Sequence, residues 1–224
     1  MMTTPVGTAE FVETSIDGAP VRGFLHRASP DSAGLVLTHG AGANCQTLLL
    51  TSLAEAFQMA GVTVLRCDLP FRQARPHGPP MRGAGEKDQA GLRAAVTLLR
   101  AHAAGPMYLG GHSYGGRQAT MLAAQESNLV EGLLLLSYPL HPPERPEQLR
   151  TQHFPELRTP ALFVQGVKDG FASIAEMEEA LKLIPARTEL LPISGAGHEL
   201  LSKKNREQAV PQIVQAFRAA FMKA

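Results

Sequence analysis

The sequence predicts an α/β protein: a doubly wound, mostly parallel sheet flanked by helices, with a small antiparallel hairpin at its front edge. Three observations lead there. Short, nearly unbroken apolar runs recur along the chain, segments between them carry apolar residues at helical spacing, and the two kinds alternate from Leu35 onward. Unbroken apolar runs suit strands covered on both faces, as parallel strands are.

Taken in order, Glu10–Ile16 and Val21–His26 read as two half-buried strands joined at Asp17-Gly18, a hairpin turn signal. The apolar runs Leu35–Thr38, Val62–Cys67, Met107–Leu109, Leu133–Leu136 and Ala161–Val164 follow, and Thr188–Ile193 is the last strand. Between them, Leu49, Leu53, Phe57 and Ala60 repeat every three or four residues, with Gly61 where a helix commonly ends. Leu92, Ala95, Val96 and Leu99 do the same, with Gly105 beyond them, and a third helix is expected from Tyr114 to about Glu126. Ile174–Ile184 and Val210–Phe221 supply two more, the second with Pro211 expected to force a break or a fresh helix start. Two irregular, proline-rich connections, Asp68–Gly85 and Ser137–Thr159, follow strands. They therefore belong at the carboxyl edge of the sheet, where open α/β folds bind ligands.

The length of 224 residues fits one domain spanning 1–224, with connections too short to form a separate domain and a core large enough to need no staple. A hydrophobic share of 44% and a charged share of 18% place the chain among globular proteins. The formal net charge of +1 offers no broad field for phosphate backbones, so nucleic acid is not the expected partner. No apolar stretch reaches the roughly 20 residues of a membrane span, and no signal-peptide pattern opens the chain. Cys45 and Cys67 form no CxxC pair, and the scattered histidines lack metal-ligand spacing. The expectation is a reduced, cytoplasmic protein with no membrane partner, no metal and no cofactor.

The most informative stretch is Met107-Tyr108-Leu109-Gly110-Gly111-His112-Ser113-Tyr114-Gly115-Gly116-Arg117. Gly111-x-Ser113-x-Gly115 is weak as a bare pattern, but here an apolar strand precedes it and a helix follows, the setting in which a serine stands exposed at the tip of a sharp turn. A serine hydroxyl is a poor nucleophile until a base takes its proton, and the base needs a carboxylate to hold its tautomer. Where this turn carries a nucleophile, the acid and then the histidine follow it along the chain. Asp169 lies directly after the strand at Ala161, and the preceding strand ends in Ser137-Tyr138-Pro139 with no competing carboxylate. His198, in the loop Ser194–Glu199 after the last strand, alone combines the right order with a loop setting; His141 and His153 precede the acid and His102 falls in a helix. An oxyanion needs two donors. The N–H of Tyr114 is one, and the N–H of Ala41, with Gly42 as the fallback, is the other, from the turn His39-Gly40-Ala41-Gly42-Ala43-Asn44; His39 itself reads as structural.

With those residues in place the chain resembles the α/β-hydrolase superfamily over nearly its whole length. The carrying stretches are Leu37–Gly42, Gly110–Arg117, Ser137–Pro143, Gln165-Gly166 before Asp169, and the loop holding His198. It is similar above all to a small lidless branch that includes bacterial hydrolase-like proteins, a testis-expressed protein and a subunit of a chromatin-associated acetyltransferase complex. Its size and architecture also resemble dienelactone hydrolases, which use cysteine where this chain has Ser113. His112 departs from the branch, in which lysine is common; it either tunes the site or packs under the turn.

The expected activity is hydrolysis of an ester, thioester or related small acyl compound. Two rivals stand beside it. Gly40-x-Gly42, with Asp68 ending the next strand, is a partial dinucleotide fingerprint, but Cys45 replaces its third glycine. The other is a noncatalytic interaction protein that keeps the fold. Finally, Arg72, Arg75, His77, Arg82 and Lys87 face only Asp68 and Glu86 in the same connection. Arg72 and Arg75 are the candidate contacts for an anionic substrate group; the alternative is a solvated loop whose charges only keep it soluble.

Overall fold

The computed structural model describes residues 7–15 and 18–222. Eight strands form one sheet: β1 (Gly7–Thr14), β2 (Pro20–Arg27), β3 (Ala33–Thr38), β4 (Val62–Cys67), β5 (Met107–His112), β6 (Gly132–Leu136), β7 (Ala161–Gly166) and β8 (Thr188–Ile193). Their spatial order is β1-β2-β4-β3-β5-β6-β7-β8, antiparallel between β1 and β2 and between β2 and β4, parallel elsewhere. In the hairpin turn Gly18 takes φ +77° and donates its N–H to Ser15 (2.9 Å). Asp17, the other half of the expected turn, and Ile16 lie outside the described residues.

The core explains the apolar runs. In β6, Leu133 and Leu135 pack into one layer and Leu134 and Leu136 into the other. Phe163 against Val164 in β7, and Val36 against Leu37 in β3, divide the same way. Side chains alternate across a strand, so a strand with a layer on each face must be apolar at every position. One layer is closed by α1 (Leu48–Met59) and α6 (Arg206–Phe221), where Phe57, Tyr108, Phe217 and Phe221 meet edge-on or tilted at 4.9–5.4 Å. The other is closed by α3 (Gly85–Leu99), α4 (Tyr114–Gln125) and α5 (Ile174–Leu181), with Tyr138, Phe154 and Phe163 clustered beneath them.

Two expectations about elements are corrected. Pro211 does not break the last helix: α6 runs from Arg206 to Phe221 with Pro211 in its second turn. The ring removes one backbone donor, while Ala209, Val210, Ile213, Phe217 and Ala220 stay on one buried face, and the N–H groups of Gln208 and Ala209 are taken by the Asn205 carbonyl. The connection after β4 is not wholly irregular either. It contains α2 (Pro70–Ala74), which Pro70 opens at its first position, where no N–H is needed. The second long connection holds one 3₁₀ turn, Phe154–Glu156.

A buried histidine couples the front edge to pH. Arg66 donates from Nε to His26 Nε2 (2.8 Å), so the proton of the neutral ring sits on Nδ1, 3.0 Å from Thr8 Oγ1. Burial, and then the Arg66 charge, lower the His26 pKa to about 4 from 6.5. The native state thus resists a proton that the unfolded chain takes up near pH 6.5. Stability from this ring is complete above that pH and lost as pH falls toward 4, by up to about 1.4 kcal/mol per pH unit. Urea midpoints measured between pH 7 and pH 4.5 should fall, and His26→Gln should flatten that fall; an unchanged slope would show that the ring titrates normally.

Candidate active site

The turn between β5 and α4 places Ser113 where the carboxyl ends of the central strands meet. Ser113 has φ 49° and ψ −113°, a left-handed backbone that a non-glycine residue adopts only when its surroundings hold it. They do so here: its N–H donates to the Leu136 carbonyl (2.8 Å) and its carbonyl accepts from Arg117 N–H (3.0 Å). Gly115 lets the turn sit against β3. A Cβ there would lie 2.5 Å from the His39 carbonyl oxygen and 2.6 Å from Thr38 Cγ2. Gly115→Ala should therefore lower stability by about 1–3 kcal/mol; a urea midpoint equal to that of the parent chain would contradict so close an approach.

Three residues from three loops meet at this tip. His198 Nε2 stands 2.9 Å from Ser113 Oγ, and its Nδ1 stands 3.0 and 2.9 Å from the two oxygens of Asp169. A carboxylate only accepts, so Nδ1 carries the proton and Nε2 is free to accept from the serine hydroxyl. Asp169 is buried and also accepts from Gln165 Nε2 (2.8 Å) and the Phe171 N–H (2.9 Å). Phe171 stacks on the His198 ring at 4.1 Å between centroids. These two orienting residues were not singled out for the site from the sequence. Gln165 appeared only within the family resemblance, and nothing local marks a phenylalanine as the floor of an imidazole.

For His112, which the sequence left either tuning the site or packing under the turn, the structure shows the second. Buried under the turn, it donates from Nε2 to the His198 carbonyl (2.8 Å). Burial holds its pKa below the ordinary histidine range. The ring therefore packs beneath the turn as a neutral donor that pins the His198 backbone.

The β3–α1 turn carries the expected second oxyanion donor. A Cβ on Gly40 would lie 3.4 Å from Ser113 Cβ, so the turn abuts the serine. The Gly40 carbonyl accepts from His39 Nδ1 (2.8 Å) and from the Ala43 N–H (3.1 Å). A trans peptide carries its N–H on the edge opposite its carbonyl, so both bonds aim the Ala41 N–H away from the His39 ring. The Leu69 N–H donates to His39 Nε2 (3.1 Å), which leaves that nitrogen without a proton; its 3.5 Å approach to Asp68 is no ion pair. Tyr114, as the first residue of α4, has an N–H with no acceptor inside the helix. Its hydroxyl donates to Asp88 (2.7 Å), which also accepts from the Phe71 N–H (3.0 Å) and ties α2, α3 and the serine turn together. Burial raises the Asp88 pKa.

The expected anion contacts are placed differently. Arg72 is 6% exposed, and four of its five N–H groups are spent on carbonyls: those of Ala43 (2.7 Å), Ala41 (3.0 Å), Gly78 (3.0 Å) and Arg75 (3.2 Å). The physical reason is that two irregular loops meet here, and their carbonyls need donors that no strand or helix supplies. Arg72 is thus a clamp on the turn bearing Ala41 rather than a free cation. Arg72→Met should cost about 2–4 kcal/mol of stability by leaving these carbonyls unpaired, which a urea melt would measure; a loss below the error of the melt would mean that water replaces the guanidinium. Arg75 is exposed and donates to the Pro79 carbonyl (2.5 Å). It borders a hollow of about 300 Å³ with Phe71, Ala74, Met81, Arg82 and Lys87, apart from Ser113 and His198.

Among the described residues no group of histidine, cysteine, aspartate or glutamate side chains could hold a metal ion, and no helix is long and apolar enough to cross a membrane.

A serine at a strained strand–helix turn, followed in the chain by an acid and a histidine at the carboxyl edge of this sheet, defines the α/β hydrolase class. The chain belongs to that family: the family model described as an alpha/beta hydrolase domain matches residues 31–223. Solved structures agree in fold. A dienelactone hydrolase from Anabaena variabilis is similar with a TM-score of 0.74 at 21% identity, over 96% of this chain and 97% of that one. An α/β serine hydrolase without a lid from Xanthomonas campestris gives 0.70 at 17% identity over the whole of both chains. Est1E from Butyrivibrio proteoclasticus gives 0.73 at 16% identity, covering 94% and 98%. Family and fold together support hydrolase-type chemistry.

Proposed function

We propose that the chain is a serine hydrolase of a small ester, thioester or related acyl compound, with Ser113, His198 and Asp169 as its triad. The observation that carries this reading is the unbroken chain of hydrogen bonds from Ser113 Oγ through His198 to Asp169, at 2.9 and 2.9–3.0 Å. Ser113 Oγ forms a bond to the acyl carbon while its proton passes to His198 Nε2. The N–H groups of Ala41 and Tyr114 hold the developing oxyanion. His198 then gives the proton to the departing oxygen or sulfur, and the acyl–serine ester remains. Water enters on the same path: His198 takes its proton, the oxygen bonds to the acyl carbon, and Ser113 leaves reprotonated. Asp169 stays ionised throughout and stabilises the imidazolium. The steps so written use no cofactor and no metal ion.

A fluorophosphonate probe tests the reading directly, because only an activated serine reacts with it. The expected result is a single adduct, mapped by peptide mass spectrometry to Ser113. A chain that stays unlabelled under conditions that label a known esterase would favour the noncatalytic interaction protein.

A further inference from the structure

The cationic connection expected to meet an anion is folded onto itself, but a different guanidinium stands without a counterion beside the nucleophile turn. Arg117 lies four residues after Ser113, one helical turn or about 6 Å along α4. Its Nε is buried and has no acceptor among the described residues. No ion pair among them joins Arg117, Arg82 or Arg150 to a carboxylate. Each of the other buried or half-buried arginines discussed above is engaged: Arg66 with His26 and the Cys45 carbonyl, Arg72 with four carbonyls.

Arg117 borders a cleft of about 390 Å³ between the loop before α3 and the first turns of α4. Met81, Arg82, Glu86, Tyr114 and Gln118 also line it; Ser113 and His198 do not, and the cleft reaches the serine turn through Tyr114, the residue after Ser113. One further guanidinium, that of Arg150, lies within electrostatic reach of Arg117. The Arg117 charge acts on Arg150, whose guanidinium donates only to the Pro139 carbonyl (3.3 Å), and on His153. Burial, and then Arg117, push His153 down to about 4. Glu86 is the one acid on the cleft wall, and it makes no ion pair with these arginines. Guanidinium groups present paired N–H donors that match a carboxylate or phosphate, and they bind it most strongly where water is partly excluded.

Resting on the serine hydrolase reading, we infer that this cleft is the subsite for an anionic group of the substrate, a carboxylate or phosphate a few bonds from the scissile carbonyl, with Arg117 as its principal ligand and Arg150 adding further positive charge. The class of substrate is then an acidic acyl compound, such as the monoester of a short dicarboxylic acid, rather than a neutral ester.

The test compares kcat/KM for matched pairs in the parent chain, Arg117→Gln and Arg150→Gln. One pair carries the anion on the acyl side (p-nitrophenyl hemisuccinate against p-nitrophenyl butyrate), the other on the leaving group (4-carboxyphenyl acetate against phenyl acetate). The anionic-to-neutral ratio should fall tenfold or more in Arg117→Gln for at least one pair, and by a smaller factor in Arg150→Gln. Ratios within twofold of the parent chain for both pairs would overturn the subsite. Thermal midpoints supply a readout that needs no turnover and shows whether the variants fold. Glutarate or inorganic phosphate at millimolar concentration should raise the midpoint of the parent chain and not that of Arg117→Gln, and the more effective of the two identifies the anion. Equal shifts in both proteins, or none in either, would also overturn it. A chain that labels with fluorophosphonate yet fails these comparisons loses the anion subsite and keeps the hydrolase reading. A chain that does not label but shows an Arg117-dependent midpoint shift loses the hydrolase reading and keeps an anion site.

Discussion

Replacing Ser113 with alanine is expected to lower kcat/KM for an activated ester by about 10⁴-fold or more. In the proposed mechanism the Ser113 hydroxyl oxygen is the atom that bonds to the acyl carbon, and neither cysteine is placed to replace it. The two cysteines are buried, and burial pushes the Cys45 thiol up to about 12, so neither offers a thiolate. Residual rate would come from substrate binding and from the Ala41 and Tyr114 N–H groups, which remain. The fold should survive, because the bonds that hold the turn run from backbone to backbone, from Ser113 N–H to Leu136 and from Arg117 N–H to Ser113. Fluorophosphonate labelling should vanish with activity while the circular dichroism spectrum stays as in the parent chain. Retained esterase activity in this variant would mean that the nucleophile has been misassigned.

Asp169→Asn is expected to reduce turnover by a similar factor, about 10⁴-fold, with little change in fold. The carboxylate now offers acceptors to three donors: His198 Nδ1, Gln165 Nε2 and the Phe171 N–H. An amide keeps one acceptor oxygen and turns donors toward the others. If its NH₂ faces His198, Nδ1 must accept, the ring proton moves to Nε2, and the base can no longer take the serine proton. The charge that stabilises the imidazolium is lost as well. Stopped-flow or steady-state kinetics with an activated ester would measure this, and unchanged rates would show that another carboxylate serves His198.

Much of this site was legible in the chain because each of its parts has a local cause. Ser113 is marked by the glycines that let its turn approach β3, Asp169 by its place directly after an apolar run, and His198 by its loop beyond the last strand. Two strands were readable to the residue: Val62–Cys67, an apolar run buried on both faces, and Thr188–Ile193, an edge strand half-exposed along most of its length. Pro211 was misleading: a proline in the second turn costs one backbone bond, less than the buried face of α6 returns. Arg72 misled for the opposite reason. A count of charges in a loop registers cations but not the unpaired carbonyls around them, and those decided where this guanidinium went.

By itself, then, the chain determined the alternation of strands and helices, the two-sided burial of the central strands, the serine turn and the order in which an acid and a histidine follow it. These depend on patterns within a few residues or on chain order, which a sequence displays directly. Only the tertiary structure decided that Phe171 and Gln165 hold His198 and Asp169, that neutral His112 pins the His198 backbone, and that Arg72 closes on the turn bearing Ala41. It also decided that Arg117, unremarkable beside Gly116 in the sequence, ends up half-buried and without a carboxylate. Each of these is a contact between segments brought together by crossovers of the sheet, and the direction of a side chain across such a contact is settled by which donors and acceptors the packed backbone leaves unpaired.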